Sequence, residues 1–242
     1  MRLMKRILSA AAVLALSASL LVGCSSGTAS SVPVSASSAA ESTVSSVEET
    51  ASSAVDENEA AAAQLLNDLT GSYQELWPVI LADEYKQTWL DDCTALVGED
   101  NAEAAFEKLS SMVTGDVYGE DAVKAYANGG GAYFCGFTNS LAILTFDGET
   151  STISGTDKDG NVLFSHTYHY IGMEPVRGLY EFQSDDADSG EFTYFFLAPD
   201  TSAETYHIEF RYGSDAEALS QYDTGEYAYW LASGISTDCD QT

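Results

Sequence analysis

The chain has 242 residues and a mass of 25.8 kDa, and its nine Lys and Arg oppose 38 Asp and Glu, for a formal net charge of -29. A charge of this sign repels phosphates and anionic lipid headgroups. It therefore excludes nucleic acid as a partner and excludes membrane attachment through a basic patch. The aromatic residues, 11% of the chain, fall after residue 70, so only the back of the chain can bury a sizeable core.

Residues 1–23 have the pattern of a bacterial lipoprotein signal peptide. Three basic residues precede an uncharged apolar stretch over 7–22, which is shorter than the roughly 20 residues of a membrane span. The junction Leu21-Val22-Gly23-Cys24 resembles a lipobox, in which the cysteine is acylated and becomes the mature N-terminus. We therefore expect palmitate at Cys24 and a lipid-anchored protein on the extracytoplasmic face of the cell membrane. The alternative is an ordinary secretory peptide, which predicts a soluble product.

Residues 24–58 are predicted to be a linker. They consist mainly of Ser, Ala, Thr, Val and Glu, with one proline at Pro33 and no aromatic residue. Such a segment cannot bury enough apolar area to offset the entropy of ordering it. The folded domain is therefore predicted over residues 59–242.

The domain is predicted to begin with helices. Residues 57–67 favour a helix with acidic residues in its first turn, and a break follows at 69–72. Two further helical patterns follow it. The first places Leu81, Tyr85, Trp89 and Leu96 on one face, and the second, over 102–113, places Ala105, Phe106, Leu109 and Met112 on another.

From residue 132 the pattern changes to β-strands. Three turn-forming segments at 146–149, 157–161 and 185–190 predict hairpins, which indicate antiparallel neighbours and an up-and-down barrel. The pattern from Ser214 to Glu217 then predicts a short capped helix near the C-terminus. Seven strands are predicted at 132–138, 141–146, 149–155, 162–171, 177–183, 191–197 and 204–212.

Four stretches resemble the ZinT-type zinc-binding domain. These are 69–78, 176–182, 206–219 and 227–230, and the resemblance covers most of residues 69–235. It implies a mainly β fold, a calycin (lipocalin-like) antiparallel barrel with N-terminal helices and a short C-terminal helix. It also implies binding or transfer of a divalent metal, zinc, with a zinc importer as a partner.

The family's zinc ligands are three histidines, one on a strand before an Ala-Pro turn and a His-x-His pair on the next strand. The chain departs from this pattern, because the first position falls on Phe195 or Phe196 and the pair reads Thr205-Tyr206-His207. Alternate residues of a strand share a face, so Glu209 is expected beside His207. His166 or His169 is expected to approach across the barrel, and at most one of the two points inward. The predicted zinc ligands are His207, Glu209 and His169.

Two alternatives stay open beside a zinc site. In the first, His207 is a hydrogen-bonded barrel histidine, and Glu209 and Arg211 form an ion pair on the same face. In the second, the barrel has lost the metal and binds a small ligand or a protein through a Tyr-rich mouth. The sequence contains no Gly-x-Ser-x-Gly, His-Glu-x-x-His or phosphate-binding loop, so we predict a binding protein and not an enzyme.

After lipidation of Cys24, three cysteines remain. Cys93, Cys135 and Cys239 allow three pairings with one cysteine left over, and secretion permits a disulfide. Cys135 lies in an apolar segment and is expected to be a small buried residue. None of them has Cys-x-x-Cys spacing, which disfavours redox chemistry and a structural zinc cluster.

Overall fold

The computed structural model describes residues 57–126, 131–199 and 206–239. The first part is helical, as predicted, with one short strand inside it. A 3₁₀ turn at Asp83–Tyr85 joins the second and third helices. The helices are α1 (57–68), α2 (Leu76–Ile80), α3 (Lys86–Val97), α4 (Glu99–Val113), α5 (Glu120–Tyr126) and, late in the chain, α6 (Ala216–Leu219).

Helices α3 and α4 form a hairpin around Gly98. This residue has φ 83°, a backbone conformation that glycine adopts without a steric penalty, and it ends α3. The ring of Trp89 on α3 lies 6.2 Å from that of Phe106 on α4 and packs with α2 and Ile235 outside the barrel. The prediction that Leu96 shares this buried face is wrong, since Leu96 is 69% exposed. Among the described helices, none is long and apolar enough to cross a membrane.

The strands form a closed antiparallel barrel. Each strand pairs with the next along the chain, and β8 closes the barrel against β1, with Tyr73 opposite Ser236. The up-and-down order and the mainly β fold class predicted from the sequence are confirmed. The strands are β1 (Gly71–Glu75), β2 (Ile143–Asp147), β3 (Thr152–Thr156), β4 (Val162–Met173), β5 (Tyr180–Ser184), β6 (Tyr194–Leu197), β7 (Ile208–Gly213) and β8 (Ala232–Ser236).

Aromatic side chains fill the barrel. Helix α1 packs against this core with Leu65 and Leu66, and Leu69 just after it does the same, at the end where β2 turns into β3. A β-carbon at Gly148 in that turn would lie 2.4 Å from the Cα of Asn67, so only glycine lets the helix approach this closely. The interior is therefore a packed core. Its inward-facing rings are Tyr73, Phe146, Phe164, Tyr168, Phe182, Phe195, Phe210 and Tyr212.

Two strands that close the barrel were not predicted, and one predicted strand is wrong. β1 begins in the predicted break at 69–72 and extends beyond it to Glu75. β8, with sequence Ala-Ser-Gly-Ile-Ser, has small residues with weak strand preference. Residues 132–138 form isolated bridges through Phe134, which pairs with Thr114 and Trp230. The backbone of Tyr133 bonds to Met112 and Gly115, and that of Phe134 and Cys135 bonds to residues 229–233. The segment is therefore not a barrel strand, although Phe137 packs against Phe210 in the interior.

Candidate metal centre

Strand β7 divides its side chains between the core and the outer face of the barrel. Ile208, Phe210 and Tyr212 belong to the buried interior cluster. Since successive side chains of a strand point to opposite faces, Glu209 and Arg211 lie on the outer face. His207 immediately precedes β7, and its imidazole lies beside Glu209. His207 and Glu209 lie side by side, as the sequence predicts. The pair lies on the outer wall of the barrel and not at its mouth.

His207 and Glu209 form a close, largely buried pair. The distance from His207 Nε2 to Glu209 Oε1 is 3.9 Å, and the side chains are 9% and 19% exposed. A tetrahedral zinc ion with bonds of about 2.1 Å holds two of its donor atoms about 3.4 Å apart. A shift of about half an ångström would therefore allow both side chains to bind one zinc ion.

The two other histidines lie elsewhere on the barrel. His169 is on the outer face of β4, 52% exposed, with its Nδ1 2.6 Å from Asp185 Oδ1. His166 is on the inner face, where its Nδ1 lies 2.8 Å from Asp186 Oδ2. Strands β5 and β6 separate β4 from β7, so neither histidine meets His207.

The structure therefore does not bring His169 to His207 and Glu209. A strand offset of three residues puts His166 and His169 on opposite faces, and His166 is the one that points inward. Within the described residues, no three His, Cys, Asp or Glu side chains form a group that could hold a metal ion. Metal binding at His207 and Glu209 stays a prediction.

The other positions that the family pattern singles out are not ligands in the described residues. Phe195 faces the interior and Phe196 the outer wall, and both are fully buried apolar rings. Thr205 lies outside the described residues, as does Cys24 with the leader and most of the linker.

Cys135 lies near Glu209 and was not predicted to belong to this region. Ser233, which is opposite Glu209 in the ladder, donates its backbone N–H to the Cys135 carbonyl oxygen at 3.0 Å. Burial, and then the charge of Glu209, raises the pKa of the Cys135 thiol to about 12. The thiol is therefore protonated at neutral pH, and a metal would have to displace its proton. No sequence signal marks this contact, because Cys135 is 74 residues from Glu209.

Arg211 does not pair with Glu209, so the ion pair of the first alternative does not form. Its guanidinium is fully buried and donates to the carbonyl oxygens of Leu219, Gln221 and Tyr227. Burial lowers the pKa of Arg211 to about 10, which leaves it charged at neutral pH. Arg211 thus fixes the segment between α6 and β8 against the outer wall.

The structure does not join Cys93, Cys135 and Cys239 by disulfides. Cys93 and Cys135 are buried on different elements, one on α3 and the other beside β8. Burial is also the largest cause that raises the pKa of the Cys93 thiol. Both therefore pack as small apolar residues, as the sequence predicts for Cys135.

A cleft of about 510 Å³ opens beside α2 and the turn from β3 to β4, where β1 and β3 end and β2 begins. Two of its polar residues are already engaged. Asp157 accepts bonds from the backbone of its own turn, and Glu75 Oε1 accepts from Phe137 N–H at 2.6 Å.

No protein-family model and no curated protein matches the sequence. Among solved structures, the chain is similar to the Zn(II)-bound ZinT-like domain of Streptococcus pneumoniae AdcA, with 15% identity and a TM-score of 0.45. That likeness covers 72% of this chain and 84% of the domain. The chain is also similar to Zn(II)-bound AdcA from the same organism, with 15% identity, a TM-score of 0.44 and coverage of 33% of that protein. The barrel itself is established by its closed strand order.

Proposed function

We propose that this protein is a lipid-anchored, extracytoplasmic binding protein that takes up a divalent metal ion, zinc, and passes it on to an importer. The observation that carries the proposal is the His207 and Glu209 pair, with donor atoms 3.9 Å apart on a partly shielded wall. An imidazole nitrogen and a carboxylate oxygen are both common zinc ligands. The sequence resemblance to ZinT-type domains points to the same ion.

Two protein ligands suit transfer better than storage. Structural zinc sites use four protein ligands, and catalytic sites use three with an open position. A site with two ligands leaves the remaining positions to water, so we expect binding with a Kd of about 1–100 μM, that is roughly 5–8 kcal/mol. Such an ion remains accessible to a partner with more ligands.

Calorimetric titration of ZnCl₂ into the chain from Ser25 to Thr242 tests this proposal. We expect one-site binding that His207→Ala abolishes and Glu209→Gln weakens about tenfold or more, as for loss of one charged ligand. His166→Ala is the matched control, because it removes a histidine with a carboxylate partner and should leave the affinity unchanged. His169→Ala tests whether His169 is the third zinc ligand, as the sequence predicts. Absence of binding, or binding unaffected by His207→Ala, would refute the proposal.

The lipid anchor has its own test. Cells expressing the full chain should incorporate labelled palmitate into this protein and retain it in the membrane fraction. Cys24→Ser should abolish the label and release the protein, because the lipid chains contribute about 0.8 kcal/mol per buried CH₂. Label in the variant, or a wild-type protein found only in the soluble fraction, would contradict the anchor.

The filled interior argues against the alternative of a small ligand inside the barrel. A ligand there would have to displace rings such as Phe195 and Phe210, both fully buried. The other alternative is a protein partner, for which a different surface of the domain is considered below.

A further inference from the structure

Arg177, in the loop between β4 and β5, presents an exposed guanidinium held by two tyrosines. Its central carbon lies 4.4 Å from the ring centre of Tyr222 and 5.7 Å from that of Tyr133. Its Nη2 donates to the Tyr133 hydroxyl at 3.4 Å. Among the described residues, no carboxylate lies within 4 Å of this guanidinium, although the chain has 38 acidic residues.

The nearby carboxylate of Glu174 is committed to other donors. It is fully buried and accepts from the backbone N–H groups of Val176 and Arg177, both at 2.7 Å, and from the Tyr222 hydroxyl at 3.3 Å. These bonds fix the loop that carries Arg177. They also leave no oxygen of Glu174 on the Arg177 guanidinium.

A second guanidinium lies beneath the first. Arg211 packs 4.4 Å from the ring centre of Tyr222 and bonds to backbone carbonyl oxygens instead of a carboxylate. The carboxylates of Glu174 and Asp223 lie near Tyr222 and Tyr133, but neither is within 4 Å of either guanidinium. The exposed guanidinium of Arg177 can therefore attract a single anionic group, while the net charge of the protein repels a polyanion.

Two more tyrosines extend this area. The Tyr229 ring lies 5.4 Å from that of Tyr126 and 5.8 Å from that of Tyr133. Tyr229 has φ 58°, a left-handed conformation that is rare for a bulky residue, and backbone bonds to Tyr222 and Phe134 hold it there. Strain of this kind is often found where a side chain must be presented for binding.

The composition of this surface fits a protein partner. Tyrosine and arginine are enriched at the energetically important centres of interfaces, and charged residues are otherwise depleted there. The planar guanidinium binds a carboxylate with two parallel hydrogen bonds, and the stacked tyrosines hold it in place. We propose that Arg177, backed by the buried ring of Tyr222, forms with Tyr126, Tyr133 and Tyr229 a docking site for a protein segment that presents a carboxylate beside an aromatic or aliphatic side chain. This proposal is independent of the metal site.

A peptide array tests the docking site directly. Its probes are short Gly-Ser peptides with a central pair in which the first residue is Asp, Glu, Asn or Gln and the second is Tyr, Phe, Leu or Ala. The protein used is the mature chain, produced without lipid. We expect it to retain the acidic peptides with a large second residue about tenfold more than the corresponding Asn or Gln peptides, as for one charge-assisted pair.

Variants then assign the retention to Arg177. Arg177→Gln should reduce retention of the acidic peptides to the level of the corresponding Asn or Gln peptides, and Arg177→Lys should restore part of that retention. Lys158→Gln is the matched control, since Lys158 is 82% exposed and its loss changes the net charge equally. Tyr126→Ala should weaken retention of peptides with an aromatic second residue, and it provides a second test if Arg177→Gln does not fold. Equal retention of acidic and amide peptides, no retention above background, or full retention by Arg177→Gln would overturn the proposal.

Discussion

Replacing Arg211 by methionine should strongly destabilise the domain. The side chain is fully buried and donates to the carbonyl oxygens of Leu219, Gln221 and Tyr227, which belong to the segment between α6 and β8. Methionine has a similar length and no donor, so all three oxygens would lose this partner. The segment that covers the outer wall of β7 would then lose its attachment.

The expected loss can be bounded from these contacts. Each buried carbonyl oxygen left without a partner costs about 1–3 kcal/mol. The gain from no longer burying a charge offsets part of the sum, and burial has already lowered the pKa of Arg211 to about 10. The net loss should be about 3–5 kcal/mol, as for other buried charged groups that lose one partner. For a domain of this size that lowers Tm by about 6–20 °C.

Urea and thermal unfolding, followed by tryptophan fluorescence, measure this loss. Lys158→Met is the control for methionine at an exposed basic position and should change the free energy of unfolding by less than about 0.5 kcal/mol. Arg211→Lys should be intermediate, because one ammonium cannot reach the three oxygens in the same fork geometry. A loss below about 1 kcal/mol for Arg211→Met would refute the view that these bonds hold the segment in place.

Three further outcomes follow from single contacts. Asp215 accepts from the backbone N–H groups of Glu217 and Ala218, so Asp215→Ala should lower the urea midpoint by an amount equivalent to about 1 kcal/mol, and Asp215→Asn by much less. Burial, and then Glu174, raises the pKa of Tyr222 from 10.0 to about 12, so its contribution to stability is complete below pH 10 and falls as the pH rises through 12. The urea midpoint and the tyrosinate absorbance, measured between pH 8 and pH 12, check this, and full ionisation near pH 10 without unfolding would contradict it. Cys135 should react with Ellman's reagent only after denaturation, and rapid reaction in the folded protein would contradict its burial.

The architecture was largely accessible from the sequence because it depends on local patterns. Acidic turn segments such as 157–161 fix where antiparallel neighbours reverse, and alternation along β4 fixes which residues face the core. The cap of α6 was found in nearly the right place, although Asp215 and not Ser214 provides the capping oxygen. β1 and β8 were missed because short strands with small or polar residues are stabilised by their neighbours and not by their own preference.

The candidate site can be described only from the sequence and the tertiary structure together. The spacing of two residues by itself determined that His207 and Glu209 share a face, since a strand has a period of two. Only the tertiary structure decided which face that is, because Ile208, Phe210 and Tyr212 fill the core and turn His207 and Glu209 outward. It also decided that His169 lies three strands away, with β5 and β6 between, and that Arg177 meets Tyr222 across 45 residues of chain. Such contacts are set by how the strands close into a barrel, and no local pattern encodes that closure.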